Sequence, residues 1–248
     1  LNHPNSGANW QFAWSKPAQA STSQIDTVAL YGFDTVKLNE QWLLNGGLRM
    51  DHYRLNVSGP AGGRAPNNYP AYALQRSDTL WNYQLGVVYK PAANGSIYAS
   101  LGTSSRPGSS TLGNGSEDLT VTTDALADLQ PEKTRSIELG TKWDVLNNHL
   151  GLTAAIFRNE VTNVRITENG LTYMGGNKVV NGLELGFTGS VMPGLDIFGG
   201  YTYMDSEQKD MGIGNIANGQ PFQNTPKHSF SLWSGYKPTA KLNLGLGV

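Results

Sequence analysis

Asp51 and His52 are the only carboxylate and imidazole side by side in this chain of 248 residues, and such a pair could serve as acid and base. Successive residues of an extended segment point to opposite faces, so on a strand the two could not share a proton. The four histidines, at positions 3, 52, 149 and 228, show neither the i,i+4 nor the short spacing that gathers ligands around a metal. His149 falls in a tight turn and His228 at a strand start, where both read as structural. There is no cysteine, hence no thiolate ligand and no disulfide. No Gly-x-Ser-x-Gly elbow occurs. Gly212-Ile-Gly-Asn-Ile-Ala217 mimics a dinucleotide fingerprint, but it lies in a loop with no helix after it. Glu117, Asp118, Asp124, Asp128 and Glu132 could gather Ca²⁺, yet they lack the spaced Asp/Asn ladder and read as a solvated loop. No catalytic residue and no metal ligand is assigned, and the chain reads as something other than an enzyme.

The elements that would position any site are strands. Charged residues make up only 15% of the chain, below the quarter usual in soluble domains. Glycine is abundant at 30 residues, and the aromatics are 11 Tyr, 6 Trp and 7 Phe. A net charge of −1 lacks the clustered basic excess that a nucleic-acid partner requires. No stretch approaches the ~20 apolar residues of a membrane-spanning helix. The chain begins with neither a methionine nor a signal peptide, which suggests a piece of something longer.

Period-two alternation recurs in segment after segment. Trp81, Tyr83, Leu85, Val87 and Tyr89 share one face of residues 79–90, against Asn82, Gln84, Gly86, Val88 and Lys90. Ile137, Leu139, Thr141, Trp143 and Val145 oppose Ser136, Glu138, Gly140, Lys142 and Asp144. Leu183, Leu185, Phe187, Gly189 and Val191 do the same in residues 179–192. Residues 42–57, 95–103, 149–160, 194–206, 228–237 and 241–248 repeat the pattern less strictly, and 23–38 mix their faces. The spacing predicts about ten strands. Short turns are expected near 39–40, 91–95, 146–148, 192–194 and 238–240, where Asn, Gly and Pro collect. Longer polar loops are expected at about 58–78, 104–133, 168–178 and 206–227. Every other connection is short, which is the rhythm of an all-β, antiparallel up-and-down meander with its long loops on one rim.

Three features favour a membrane barrel over a soluble one. The polar face is built from Gly, Ser, Asn, Thr and single charges such as Arg49, Asp51, Glu138, Lys142 and Glu184, not from dense Lys and Glu. Trp42, Trp81, Tyr83, Tyr89, Trp143, Tyr201, Tyr203 and Tyr236 gather toward strand ends, as interfacial aromatics do. The strands match the ~9–11 residues that cross a bilayer with tilt. An open sheet in lipid leaves backbone groups unpaired, so the expected state is a stretch of a larger, closed transmembrane β-barrel.

More specific residues follow. Leu129-Gln-Pro-Glu-Lys-Thr-Arg-Ser-Ile-Glu-Leu-Gly-Thr-Lys-Trp143 resembles the L-x-P-E-x-x-x-x-x-E-L-G-x-K stretch of TonB-dependent outer-membrane receptors. Leu150-Gly-Leu-Thr-Ala-Ala-Ile-Phe-Arg-Asn-Glu-Val-Thr-Asn163 is similar to the strand that follows it in that family. Val180-Asn-Gly-Leu-Glu-Leu-Gly186, Phe198-Gly-Gly-Tyr-Thr-Tyr203 and Asn224-Thr-Pro-Lys-His228 resemble its later strands in order. The resemblance covers 129–236 and is closest to siderophore receptors, with a lean toward the catecholate type. It implies a plugged barrel of about 22 strands, of which residues 1–248 supply a later part; the plug, TonB box, first strands and last strand are expected elsewhere. It also implies import of ferric siderophores with energy relayed through TonB, in the bacterial outer membrane among lipid and lipopolysaccharide. Iron would arrive already chelated, so no protein cofactor is expected. A ferric catecholate is anionic and aromatic-rimmed, which calls for Arg or Lys with Tyr, Trp or Phe on the outer loops. Arg64, Tyr69, Tyr72 and Arg76 on the first loop, Arg106 opening the second, and Tyr173 on the third are the candidates. An outer-membrane barrel enzyme or porin and a soluble β-rich glycan-binding domain are the alternatives.

Overall fold

The computed structural model describes residues 22–64, 67–69, 71–107, 130–168 and 171–248, with the side chains of 23, 62–64, 67–69, 167–168 and 171–173 left aside. The strands are β1 (Thr22–Lys37), β2 (Trp42–Gly59), β3 (Gly62–Arg64), β4 (Asn67–Tyr69), β5 (Tyr72–Ala92) and β6 (Gly95–Arg106). They continue with β7 (Glu132–Val145), β8 (Leu150–Glu168), β9 (Leu171–Met192), β10 (Leu195–Lys209), β11 (His228–Thr239) and β12 (Leu242–Gly247). Ten of them form one sheet in the order β1-β2-β5-β6-β7-β8-β9-β10-β11-β12, and β3 and β4 make a small hairpin apart from it. Every neighbouring pair in the large sheet is antiparallel. Its two ends, β1 and β12, do not pair with each other among the described residues.

The five tight connections expected from the sequence fall together at one rim, where the sequence places them. In the turn between β7 and β8, Leu146, Asn147 and Asn148 have φ of 54°, 57° and 65°. Two asparagines in succession make that left-handed path accessible. Trp42 and Tyr89 pack beside this rim with ring centroids 4.6 Å apart. All eight aromatics expected at the interfaces lie on one face of the sheet, here called outward, as the pairing registers require.

The opposite rim differs from expectation. β8 runs to Glu168 and β9 begins at Leu171, so most of the loop expected at 168–178 is strand. β5 begins at Tyr72 and β10 extends to Lys209, which shortens two further loops. Strands of 18, 21, 19 and 22 residues in β2, β5, β8 and β9 exceed the ~9–11 that a bilayer requires. The surplus stands above the membrane. There the polarity of the faces inverts. Outward on β2 are Trp42, Leu44, Leu48 and Met50, then His52, Arg54, Asn56 and Ser58. Inward are Asn45, Arg49 and Asp51, then Tyr53, Leu55 and Val57. On β5 the outward change falls between Trp81 and Thr79, on β7 between Ile137 and Arg135, and on β8 between Ile156 and Arg158. Lipid rewards apolar atoms outside, whereas water on both sides sends them in. The alternation thus breaks phase at the membrane boundary, and a strand read by its phase ends too early.

Candidate ligand-binding face

Above that boundary the inward side of β2 and β5 is a dry cluster. Tyr53, Leu55, Val57 and Leu80 are 2–7% exposed, with Tyr72 packed against them. The Tyr72 ring lies where a Cβ on Gly59 would stand, 2.5 Å away, so only glycine leaves room for it. Burial of each aliphatic contributes about 1.5–3 kcal/mol. Asp78 closes the cluster: it accepts from the Tyr53 hydroxyl at 2.5 Å and from Arg76 Nε and Nη2 at 2.5 and 3.1 Å. One row nearer the membrane, Arg49 grips Asp51 through Nε and Nη2 at 2.8 and 2.6 Å, and its guanidinium lies 5.7 Å from the centre of the Tyr31 ring. Both pairs are i,i+2 on one strand, the spacing that puts two side chains on one face.

Farther along the inward wall, Glu138 accepts from the Tyr98 hydroxyl at 2.5 Å, and Lys142 lies over the Tyr98 ring at 5.4 Å. At the rim, Arg106 and Glu132 face each other across β6 and β7 with Nη2 and Oε2 2.5 Å apart. They are the last paired residues of the two strands and tie the stem of the loop between them. The Arg106 side chain is 59% exposed, against 15% for Arg76.

The loop after β10 folds inward over the same rim. Met211 is buried with Val164 and Ile166, and its sulfur occupies the space beside Gly176. Asn218 accepts from the Met211 amide at 2.8 Å and donates to the Gly212 carbonyl at 2.9 Å, holding the turn closed. Phe222 donates its amide to Ser206 Oγ at 3.1 Å and lies beneath Lys178 Nζ, 5.6 Å from its ring centre. The mouth therefore presents Arg106, Lys178 and Phe222 on its inward side, a set that could hold an anion bearing aromatic rings.

The expected residues fall in three groups. Arg64 and Tyr69 sit on the β3–β4 hairpin, opposite Asn67 and Gly62 in its register. Tyr72 and Arg76 belong to β5 and not to a loop, and both are built into the dry cluster. Arg106 ends β6 and does not open the loop, while Tyr173 pairs with Ile166 within β9. The acidic residues from Glu117 to Asp128 lie outside the described residues. Sequence reasoning missed Lys178, Tyr53 and Asp78. The Arg-x-Asp spacing at 76–78 on a strand was the signal available for Asp78.

Comparison with known proteins gives a consistent relationship. The family model described as "TonB dependent receptor-like, beta-barrel" matches residues 2–248. A probable TonB-dependent receptor of Bordetella pertussis, BfrD, is 42% identical over 90% of this chain and 30% of its own length. A probable TonB-dependent siderophore receptor of Acinetobacter baumannii, PiuA, is 36% identical over 90% of the chain and 31% of its own. The crystal structure of PiuA superimposes with a TM-score of 0.79 over 92% of this chain and 33% of that one, at 33% identity. The ferric-catecholate import receptor Fiu of Escherichia coli, in its closed form, gives 0.73 at 29% identity, over 92% of this chain and 34% of that one. The chain thus spans about a third of the length of the relatives it matches.

Proposed function

The chain belongs to the TonB-dependent receptor β-barrel family of the bacterial outer membrane, and from that premise we propose that its parent protein imports ferric siderophores of the catecholate class. The proposed protein is a transporter and not an enzyme. These ten strands form part of the wall of a larger barrel, energy comes through TonB, and iron enters already chelated. One observation carries the reading: over 90% of its length the chain is related to a protein named as a siderophore receptor. Arg106, Lys178 and Phe222 at the mouth supply chemistry that suits the ligand, since an iron tris-catecholate carries negative charge and aromatic rings. Arg64, Tyr69, Tyr72, Arg76 and Tyr173 are further proposed contacts of the ligand.

The test uses the full-length parent. Purified receptor is titrated with ferric catecholates, ferric hydroxamates and cobalamin while tryptophan fluorescence is followed. Saturable quenching by ferric catecholates, with radio-iron uptake abolished by a proton uncoupler, is the expected result. Binding of cobalamin alone, or of none of the three, overturns the proposal.

A further inference from the structure

The loop between β10 and β11 carries an exposure that the mouth set does not explain. Ile213 and Ile216 are 96% and 91% exposed, the highest values among the large hydrophobic side chains described. They stand at the corners of consecutive β-turns. Asn215 donates its amide to the Gly212 carbonyl at 3.4 Å, and Asn218 to the Asn215 carbonyl at 3.1 Å, so each isoleucine takes the second position of a turn. That corner faces water and commonly holds Pro; a large β-branched side chain gains nothing there from the fold. Nor is the exposure slack in the chain. Asn215 Nδ2 donates to the Met211 carbonyl at 2.6 Å, and its Oδ1 accepts from the Ala217 amide at 2.9 Å. Gln208 of β10 donates its amide to the Gln220 carbonyl at 3.0 Å and accepts from the Gly219 amide at 2.8 Å. With Met211 buried against Val164 and Ile166, both isoleucines sit on a fixed frame, and a ligand meeting them has little left to order.

Three kinds of occupant could cover them, and two fail. The bilayer is too far, because β10 continues past the interfacial Tyr203 to Lys209 before the loop begins, on the order of 20 Å of strand. A protein partner needs about 800 Å² per side for a stable interface, more than two isoleucines supply. The imported ligand remains. Ile213 lines a cleft of roughly 650 Å³ with Gly175, Gly212 and Gly219. Gln208 lines it too and is the register partner of Lys178, the cation over Phe222 at the mouth. Cleft and mouth are therefore neighbours, but their charge differs. In the cleft Lys209 is the one cation among the described lining residues, and Glu207 holds it at 3.0 Å. Asp210 accepts from Asn177 Nδ2 at 2.8 Å and adds a further negative charge.

We propose that the imported chelate is an amphiphile, a ferric catecholate bearing an aliphatic tail, and that Ile213 and Ile216 receive the tail. The anionic, aromatic head takes Arg106, Lys178 and Phe222. The uncharged tail lies in the cleft and against the two turn corners, where the carboxylate excess turns the head away. Covering the isoleucines removes apolar surface of both partners from water, a favourable contribution that the charged head cannot make. The tail site rests on the reading of the parent as a ferric-catecholate receptor and names the class of ligand within it.

The experiment uses full-length receptor in lipid nanodiscs and two probes with the same ferric tris-catecholate head, one bare and one carrying an octanoyl chain. Tryptophan quenching reads the affinity of each. A methylene taken from water is worth about fourfold, so the acylated probe is expected to bind at least about tenfold more tightly after the cost of ordering its chain. Ile213→Ser/Ile216→Ser is expected to erase that difference, and Ile213→Val/Ile216→Val to keep most of it. Partition of the chain into the discs is common to receptor and variants, and heat-dependent gel mobility verifies each barrel. If the double Ser variant does not fold, Ile216→Ser alone is expected to cut the difference about threefold. Equal affinity of the receptor for the two probes, or a difference that survives the Ser changes, overturns the tail site and leaves the catecholate reading standing. Binding of neither probe overturns both.

Discussion

The two ends of β5 obey opposite rules. From Tyr89 to Trp81 its outward residues are aromatic or aliphatic and its inward ones are mostly polar. From Thr79 to Ala73 the outward residues are Thr, Ser, Gln and Ala, while Leu80, Leu74 and Tyr72 turn inward. The backbone ladder from β5 to β2 is continuous across the change, whereas pairing with β6 stops at Gln84 and Gly102; hydrogen bonding between strands serves equally in lipid and in water. What changes is the solvent on the outward side. The same strand is membrane wall below and the shell of a water-soluble cluster above.

The strongest way to break that comparison is to place one charge on each half of the outward face. Leu85 is 55% exposed in the middle of the apolar band. Leu85→Arg is expected to destabilise the folded receptor by about 2–4 kcal/mol, the cost of a cation near the bilayer midplane. Ser77→Arg, four outward positions higher, is expected to stay within about 0.5 kcal/mol. Urea unfolding in lipid vesicles, followed by gel mobility, measures both. Equal costs at the two sites would mean that the boundary does not lie between Trp81 and Thr79.

The ten sheet strands and the five turns at the lower rim were legible because the bilayer imposes one rule on every strand. Leu139 and Leu185 are outward for the same reason, and each turn is marked by Asn, Gly or Pro. The upper rim was not legible in that way. At Asp51–Tyr53 the polar residue and the apolar residue exchange faces, and a reader following one phase takes the change as a strand end. The expected loops at 58–78 and 168–178 were too long for that reason. Arg76 and Tyr72 suffered the same error: as loop residues they looked available to ligand, but as inward strand residues they meet Asp78 and Gly59. The hydrophobic side of Met211, the anchor of the last loop, was also hidden. Its partners Val164 and Ile166 lie some 45 residues away in sequence, beyond the reach of any local pattern.

Arg76 and Arg106 sharpen the comparison at the level of one residue type. Arg76 is largely covered and shares Asp78 with a buried tyrosine. Arg106 is mostly exposed and, among the described residues, pairs with Glu132 at the mouth. Arg106→Ala is expected to weaken binding of a ferric catecholate to the full-length receptor by about tenfold, the worth of one charge-assisted hydrogen bond. Its effect on unfolding is expected to be under about 1 kcal/mol, as for other exposed ion pairs. Fluorescence titration and urea unfolding read the two quantities separately. A loss of stability without a loss of affinity would make Arg106 a strut like Arg76.

The smallest effect has the most informative sign. Glu132 holds the guanidinium that an anionic ligand would need, so ligand and carboxylate compete for one cation. Glu132→Gln keeps the shape and removes the competitor. Exposed pairs are worth about 0–1 kcal/mol, so affinity for the ferric catecholate is expected to rise by no more than about fivefold. A rise means that Arg106 exchanges its carboxylate for ligand when the receptor fills. A fall means that the pair's first task is to hold the β6 and β7 stems together, with the loop above them carrying the contacts. The double variant Arg106→Ala/Glu132→Gln separates the two cases further. In the exchange case it matches Arg106→Ala, because a glutamate without its arginine has nothing left to withhold. In the stem case Glu132→Gln alone already matches it, because either change opens the same pair.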